Sequence, residues 1–225
     1  MADFKRARHA DQKNARRQEL LRAASELFDD GGPLGAGINA IAAHAGFTKS
    51  NVYRYFESRE HVLLSLFLEE FEGFSLAVSE RIGSLPAGDV GGIADAMTAG
   101  FLDRPRLCKL VAIFGTVLEQ NVTADTIEAV KSVLGGLTVP LVEAMRQRLP
   151  GAKTEDCQWA FAMTTSLLAG MWPGVCPSPA AAEVLAKPEF ARMTLALDRE
   201  FKRALEALLW SVVDTPHDRA DRGAD

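Results

Sequence analysis

Only three cysteines occur in 225 residues, Cys108, Cys157 and Cys176. They are odd in number, with no CxxC spacing and no histidine cluster, so neither a disulfide framework nor a zinc site is indicated. No metal and no other cofactor is implied. The chain also lacks a secretory signal, and reduced, buried thiols are the plain expectation; a redox sensor is the sharper alternative. Four histidines, His9, His44, His61 and His217, are scattered along the chain. There is no H-x-x-x-H pair, no G-x-S-x-G and no glycine-rich phosphate loop after a strand. Adjacent carboxylates such as Glu69-Glu70 and Asp29-Asp30 read as solvated helix faces. With nothing to assemble a catalytic site, a non-enzyme is expected.

Strand-period alternation is missing too, and Ala, Leu, Glu and Arg dominate, so the expected fold class is all-α. No internal repeat is present. The 26 residues from Cys157 to Ala182 carry no charge, which raises the question of a membrane span. Pro173, Pro177 and Pro179 break the run, Gln158, Thr164, Thr165 and Ser166 interrupt it, and a span needs about 20 mainly apolar residues. The stretch reads as a buried helix followed by a Pro-rich loop, with no membrane partner. An excess of positive charge is likewise absent, the formal net charge being −5. Its distribution matters more than its sum. Residues 1–61 hold 10 Lys+Arg against 8 Asp+Glu, whereas residues 62–225 hold 15 against 22. Phosphate binding needs a locally positive face rather than a basic protein.

What is there concentrates in Gly37–Leu63. Ile38, Ile41, Ala42 and Ala45 recur at helical period. Gly46 can take positive φ and end that helix, with Phe47 behind the turn. Thr48 is suited to cap the next helix, read from Lys49 to Phe56, in which Val52 and Phe56 anchor one side. The remaining positions, Lys49, Ser50, Asn51, Tyr53, Arg54 and Tyr55, carry more hydrogen-bonding groups than a core helix tolerates. Ser58 then caps a long helix with Glu60 in its first turn, where negative charge suits the dipole. Two helices joined by a short Gly-containing turn form the helix-turn-helix layout, whose second helix enters the major groove of DNA.

At these residues the chain resembles the TetR family of transcriptional regulators. The resemblance is carried by Ile41-Ala42, Ala45-Gly46, Thr48, Tyr53-Arg54-Tyr55-Phe56, Ser58-Arg59 and Val62-Leu63. It is specific over residues 14–63; beyond them it rests on helix number and length. It implies an N-terminal three-helix helix-turn-helix domain and a larger helical ligand-binding and dimerisation domain. In a chain of this kind Thr48, Tyr53, Tyr55 and Arg59 would hold phosphates, while Lys49, Ser50, Asn51 and Asn39 would face base edges. Two departures stand out. Ala36-Gly37 replaces a common threonine, leaving only backbone N–H groups for phosphate there, and Asn39 takes a place often held by a charged residue.

The expected organisation is a flexible polar arm over 1–13, the DNA-binding domain over 14–60, an effector-binding and dimerisation domain over 61–214, and a disordered tail over 215–225. The helix from Asn14 to Asp30 carries the stripe Leu20, Leu21, Ala24, Leu27 and Phe28. The helix from Ser58 to about Ile82 carries Leu63, Phe67, Phe71, Phe74 and Val78. A loop is expected from Gly83 to Gly92, then helices over about Ile93–Leu102, Arg106–Gln120, Thr123–Leu149 and Thr154–Trp172, and a last long one over Glu189–Val213. In that last helix Phe190, Met193 or Thr194, Leu197, Phe201, Ala204 or Leu205, Leu208 and Val212 form a near-heptad stripe. With Phe161, Thr164, Leu168 and Met171 it supplies two apolar helix faces, and the resemblance implies that two such helices from each subunit pair into a four-helix homodimer interface; the alternative is that both stripes face the subunit's own core. Met97, Phe101, Phe114, Val117, Trp159, Met163 and Trp172, with Glu119, are candidates for lining a pocket for a small, largely apolar effector. The expected function is a cytoplasmic, bacterial, homodimeric repressor of a double-stranded DNA operator. The alternatives are a helical carrier or interaction module without DNA binding, and a DNA-binding dimer without an effector.

Overall fold

A computed structural model describes residues 2–213, with side chains from Asp11 onward; the expected tail over 215–225, with His217, lies outside the described residues. Every regular element among them is helical: α1 (Ala2–Gly35), α2 (Ile38–His44), α3 (Lys49–Val52), α4 (Arg59–Gly83), α5 (Val90–Leu102), α6 (Pro105–Ile113), α7 (Ala124–Arg148), α8 (Thr154–Val175), α9 (Pro179–Leu185) and α10 (Leu197–Val213). A π-helical turn, Phe114–Leu118, follows α6, and a 3-10 turn, Pro188–Met193, precedes α10. None of these helices is long and apolar enough to cross a membrane. The chain divides into two compact units. One takes residues up to Glu69 together with Phe114–Val133, the other Glu70–Ile113 with residues from Leu134 on.

In the first unit, Leu20, Leu21, Ala24 and Phe28 of α1 are buried, as are Ile41 and Ala42 of α2, Val52 of α3, Phe56, and Val62, Leu63 and Phe67 of α4. The helix begins at Ala2, so the residues expected as a polar arm belong to α1. The physical reason is composition: Ala, Lys and Arg predominate before Asn14, with neither Gly nor Pro to stop a helix. The expected stop at Gly31-Gly32 is a sharp kink at Gly32 (φ 61°, ψ −157°) with Pro33 behind it. Phe114 of the π-helical turn packs on Phe67, ring centroids 4.8 Å apart. Lys131 Nζ lies 5.7 Å over the Phe114 ring and 2.8 Å from Glu119 Oε1.

The second unit is built on aromatic contacts. Phe74 stacks on Phe101 at 4.2 Å, Phe101 meets Phe201 edge-on at 5.9 Å, and Phe71 reaches Phe161 at 6.0 Å. All but Phe161 are essentially fully buried, each such ring contributing about 2–3 kcal/mol of transfer free energy. Gly100 lets α5 approach closely, because a Cβ there would lie 2.4 Å from Val78 Cγ2. α5 starts at Val90, earlier than expected, because Asp89 accepts the Gly92 N–H at 2.8 Å and caps the helix.

Several expected boundaries shift. The Arg106–Gln120 helix is α6 plus the π-helical turn. α8 is preceded by Lys153, whose N–H meets the Asp156 carboxylate at 3.3 Å, so Asp156 rather than Thr154 shapes its start. The Pro-rich loop holds α9, with Ser178 as cap and Pro179 at its first position. The last helix does not run from Glu189: the chain extends at Thr194 (φ −74°, ψ 128°), and only Leu197–Val213 is α-helical.

The two stripes proposed for dimerisation turn inward. Leu197, Phe201, Leu205 and Val212 of α10 and Phe161, Thr164 and Leu168 of α8 are buried within their own unit, where α10 packs on both α5 and α8; Leu208 and Met171 are only half-buried, as is Phe190 in the 3-10 turn. α8 is therefore not buried all round. Its outward face carries Trp159 and Met163, 47% and 37% exposed, in register with exposed Ser166 and Gly170. α10 presents Arg203, Ala207 and Trp210 outward, the last 57% exposed.

Candidate nucleic-acid interface

The helix-turn-helix is built from local rules that the sequence announces. α2 ends at Gly46, which adopts φ 70°, and the Phe47 N–H returns to the Ala42 carbonyl at 2.8 Å. Thr48 sits in extended conformation, and its Oγ1 accepts the Asn51 N–H at 3.4 Å, capping α3. Val52 and Phe56, both buried, fasten this segment to the unit's core.

α3 is shorter than expected. Tyr53 N–H bonds the Lys49 carbonyl at 3.2 Å, but the N–H groups of Arg54 and Tyr55 reach back only to Asn51 and Val52. That three-residue spacing tightens the chain into turns. The consequence is a compact projection rather than a long helix: Lys49, Ser50, Tyr53 and Arg54 are exposed, Asn51 and Tyr55 half-exposed. Lys49 Nζ lies 5.8 Å over the Tyr53 ring, a contact that holds the ammonium near the phenol without neutralising it. Both tyrosines of the chain, Tyr53 and Tyr55, are here. Asn39 is exposed in α2, whose cap Gly37 makes no side-chain bond.

Arg59 is placed differently from the rest. Its Nε and Nη2 both donate to Glu60 Oε1, at 3.0 and 2.5 Å. Glu60 is only 5% exposed, so the pair neutralises a buried carboxylate, and a phosphate at Arg59 would have to compete with it. Ser58 caps α4 as expected, its Oγ accepting the His61 N–H at 3.1 Å.

Two features escaped the sequence. Glu57 accepts the Thr123 N–H at 3.0 Å and faces the Thr123 hydroxyl through both carboxylate oxygens. Thr123 in turn caps α7 through the Thr126 N–H. The Thr123 N–H foremost, with the two threonine hydroxyls, holds the Glu57 carboxyl below the usual carboxylate range, while burial pushes half-buried His61 down. No sequence signal links positions 66 residues apart. The second is a groove of about 490 Å³ lined by Gln12, Lys13, Arg16, Arg54 and Tyr55. Lys13 and Arg16 stand three apart on α1, a spacing readable once α1 is known to start early.

The eight effector candidates fall in both units. Phe114, Val117 and Glu119 belong to the first unit. Met97, Phe101 and Trp172 are buried in the second, and Trp159 and Met163 lie on its surface. Cys108 and Cys157 are buried, and burial pushes their thiols up, Cys108 to about 12 and Cys157 to about 11.

Comparison with known proteins covers nearly the whole described chain. Residues 20–66 match the family model for bacterial regulatory proteins of the tetR family, and residues 68–210 match the tetracyclin repressor-like C-terminal domain. An uncharacterized HTH-type transcriptional regulator of Mycobacterium tuberculosis is 27% identical over 173 residues, spanning 73% of this chain and 81% of its own length. Among solved structures, the fatty acid degradation regulator FadR of Bacillus halodurans superposes with a TM-score of 0.55 at 18% identity, covering 88% of this chain and 98% of its own. The TetR family repressor AlkX from Dietzia sp. gives 0.53 at 14%, covering 88% and 96%. At these identities the two structures speak to fold alone.

Proposed function

This chain belongs to the tetR family of bacterial regulatory proteins and is a DNA-binding transcriptional regulator, and on that premise we propose that it is a homodimeric repressor released by a small molecule. The observation that carries the DNA-reading part is the projection of Lys49, Ser50 and Asn51 from a capped, core-anchored turn, with Tyr53 and Tyr55 beside them. Lys49, Ser50, Asn51 and Asn39 face base edges, Lys49 suiting the acceptors of guanine. Thr48, Tyr53 and Tyr55 hold phosphates; Arg59 joins them by exchanging Glu60 for a phosphate oxygen. The DNA-binding domain extends over 14–60 and the effector-binding and dimerisation domain over 61–214. The activity is binding rather than catalysis, and it is exercised in the cytoplasm, where the DNA is.

The dimer in this reading forms through the outward faces of α8 and α10. Trp159, Met163 and Trp210 are large apolar side chains left at the surface, while Gly170 and Ala207 on the same faces permit close helix approach. Dimerisation would set two α3 segments one helical turn apart, about 34–36 Å, on one side of the duplex. An effector in the body then weakens DNA binding by preferring a differently spaced state, and a coupling of about 1–3 kcal/mol suffices for a roughly 5- to 150-fold loss.

A second reading, constitutive DNA binding without an effector, is favoured by the close packing of Phe101 against Phe74 and Phe201. The DNA reading is tested by a gel shift with the protein's own upstream DNA at low salt. Retardation by the wild type and its loss in Tyr53→Ala are expected. No retardation, and no effect of Tyr53→Ala on any residual binding, would overturn it.

A further inference from the structure

We propose that the DNA contact continues off the helix-turn-helix onto the outer face of α1, where Lys13 and Arg16, with Arg54, cradle the sugar-phosphate backbone. The inference rests on the DNA-binding reading and adds a phosphate subsite to it. Lys13 and Arg16 are three residues apart, hence on one face of α1, and both are exposed. Arg54 stands on the turn directly after α3. The three line one groove with Gln12 and Tyr55, and no carboxylate shares its walls.

The neighbouring cations are differently committed. Arg17 lies 5.3 Å over the Phe56 ring and 4.0 Å from Glu69, whose carboxylate also accepts from Gln18. Arg59 is held by Glu60. Lys13, Arg16 and Arg54 have no ion pair among the described residues. Three cations gathered around an open groove without a counter-ion repel one another, and a polyanion relieves that repulsion. Phosphodiesters fit this arrangement: the guanidinium groups offer forked donors to phosphate oxygens, Lys13 a point charge, and the Tyr55 hydroxyl and Gln12 amide neutral hydrogen bonds.

Continuity selects DNA backbone as the occupant over a free anion. Tyr55 is both a wall of the groove and one of the residues beside the reading segment, so a strand passing α3 is led toward Arg16 and Lys13. Such a contact carries no base information. It raises affinity for every sequence alike.

The test is the salt dependence of binding to a random-sequence DNA duplex, followed by fluorescence anisotropy. For Lys13→Ala/Arg16→Ala the slope of log K against log salt should become shallower by about 0.9 per lost phosphate, roughly 1.8 for the pair. The preference for upstream over random DNA should not change. Lys13→Arg/Arg16→Lys should retain the wild-type slope, and Arg54→Ala, on a separate element, should lose about 0.9. Thermal melts identify any variant that has merely unfolded, in which case Arg54→Ala decides. An unchanged slope in folded Lys13→Ala/Arg16→Ala and Arg54→Ala, with Tyr53→Ala still weakening binding, overturns this inference while leaving the DNA reading intact. Absence of any salt-dependent binding by the wild type overturns both.

Discussion

Thr48 and Glu57 show how single side chains set the shape of the reading segment. Thr48 satisfies a backbone donor at the start of a helix only four residues long, so Thr48→Ala should cost about 1 kcal/mol and lower the melting temperature without changing the helical signal of the folded state. Glu57 offers a pH test. Its carboxyl is held below the usual range chiefly by the Thr123 N–H; a group depressed in the folded state stabilises above its unfolded value and loses that contribution as pH falls through the folded one. Glu57→Gln should therefore melt below wild type at neutral pH, and the gap should close in acid as Glu57 itself protonates. Thermal melts of both proteins from neutral pH downward check this; a gap that stays constant into acid would argue against a charged Glu57 in the pairing. Thr48 was legible because capping is a three-residue rule. The Glu57–Thr123 pairing was not, because nothing local marks it.

At the level of elements, periodicity located the helices better than it oriented them. The stripe Leu63, Phe67, Phe71, Phe74 and Val78 along α4 is buried throughout, and Gly46 turns as expected. On α8 and α10, however, two apolar faces compete. Sequence period alone does not say which one turns inward: Trp159 and Met163, expected to line a pocket, and Trp210 lie at the surface instead. The shortening of α3 and the π-helical turn at Phe114–Leu118 depend on hydrogen-bond choices that residue types leave open. Close approach at Gly100 gives an element-scale prediction. An added methyl would meet Val78 at 2.4 Å and Phe74 at 3.1 Å, so Gly100→Ala should destabilise by about 1–3 kcal/mol in chemical denaturation. A neutral result would mean that α5 shifts freely, contrary to the packing described.

For the whole molecule, an acidic protein that binds DNA is reconciled by where its charge lies, and the proposed pairing rests on the exposed Trp159, Met163 and Trp210. Trp210→Glu combined with Met163→Glu should convert a dimer to a monomer in sedimentation velocity and weaken binding to upstream DNA far more than to random DNA, since only a specific site has two halves to occupy. The central claim, that α3 reads sequence, is tested most directly by the ratio of affinities for upstream and random duplexes, measured for wild type and Lys49→Ala/Asn51→Ala at one salt concentration. The account predicts a clear preference in the wild type that falls at least roughly tenfold in the double variant, because each base contact is worth about 1–3 kcal/mol, with salt-dependent binding to random DNA retained. A wild type that prefers neither duplex, or a preference untouched by the double substitution, would contradict it.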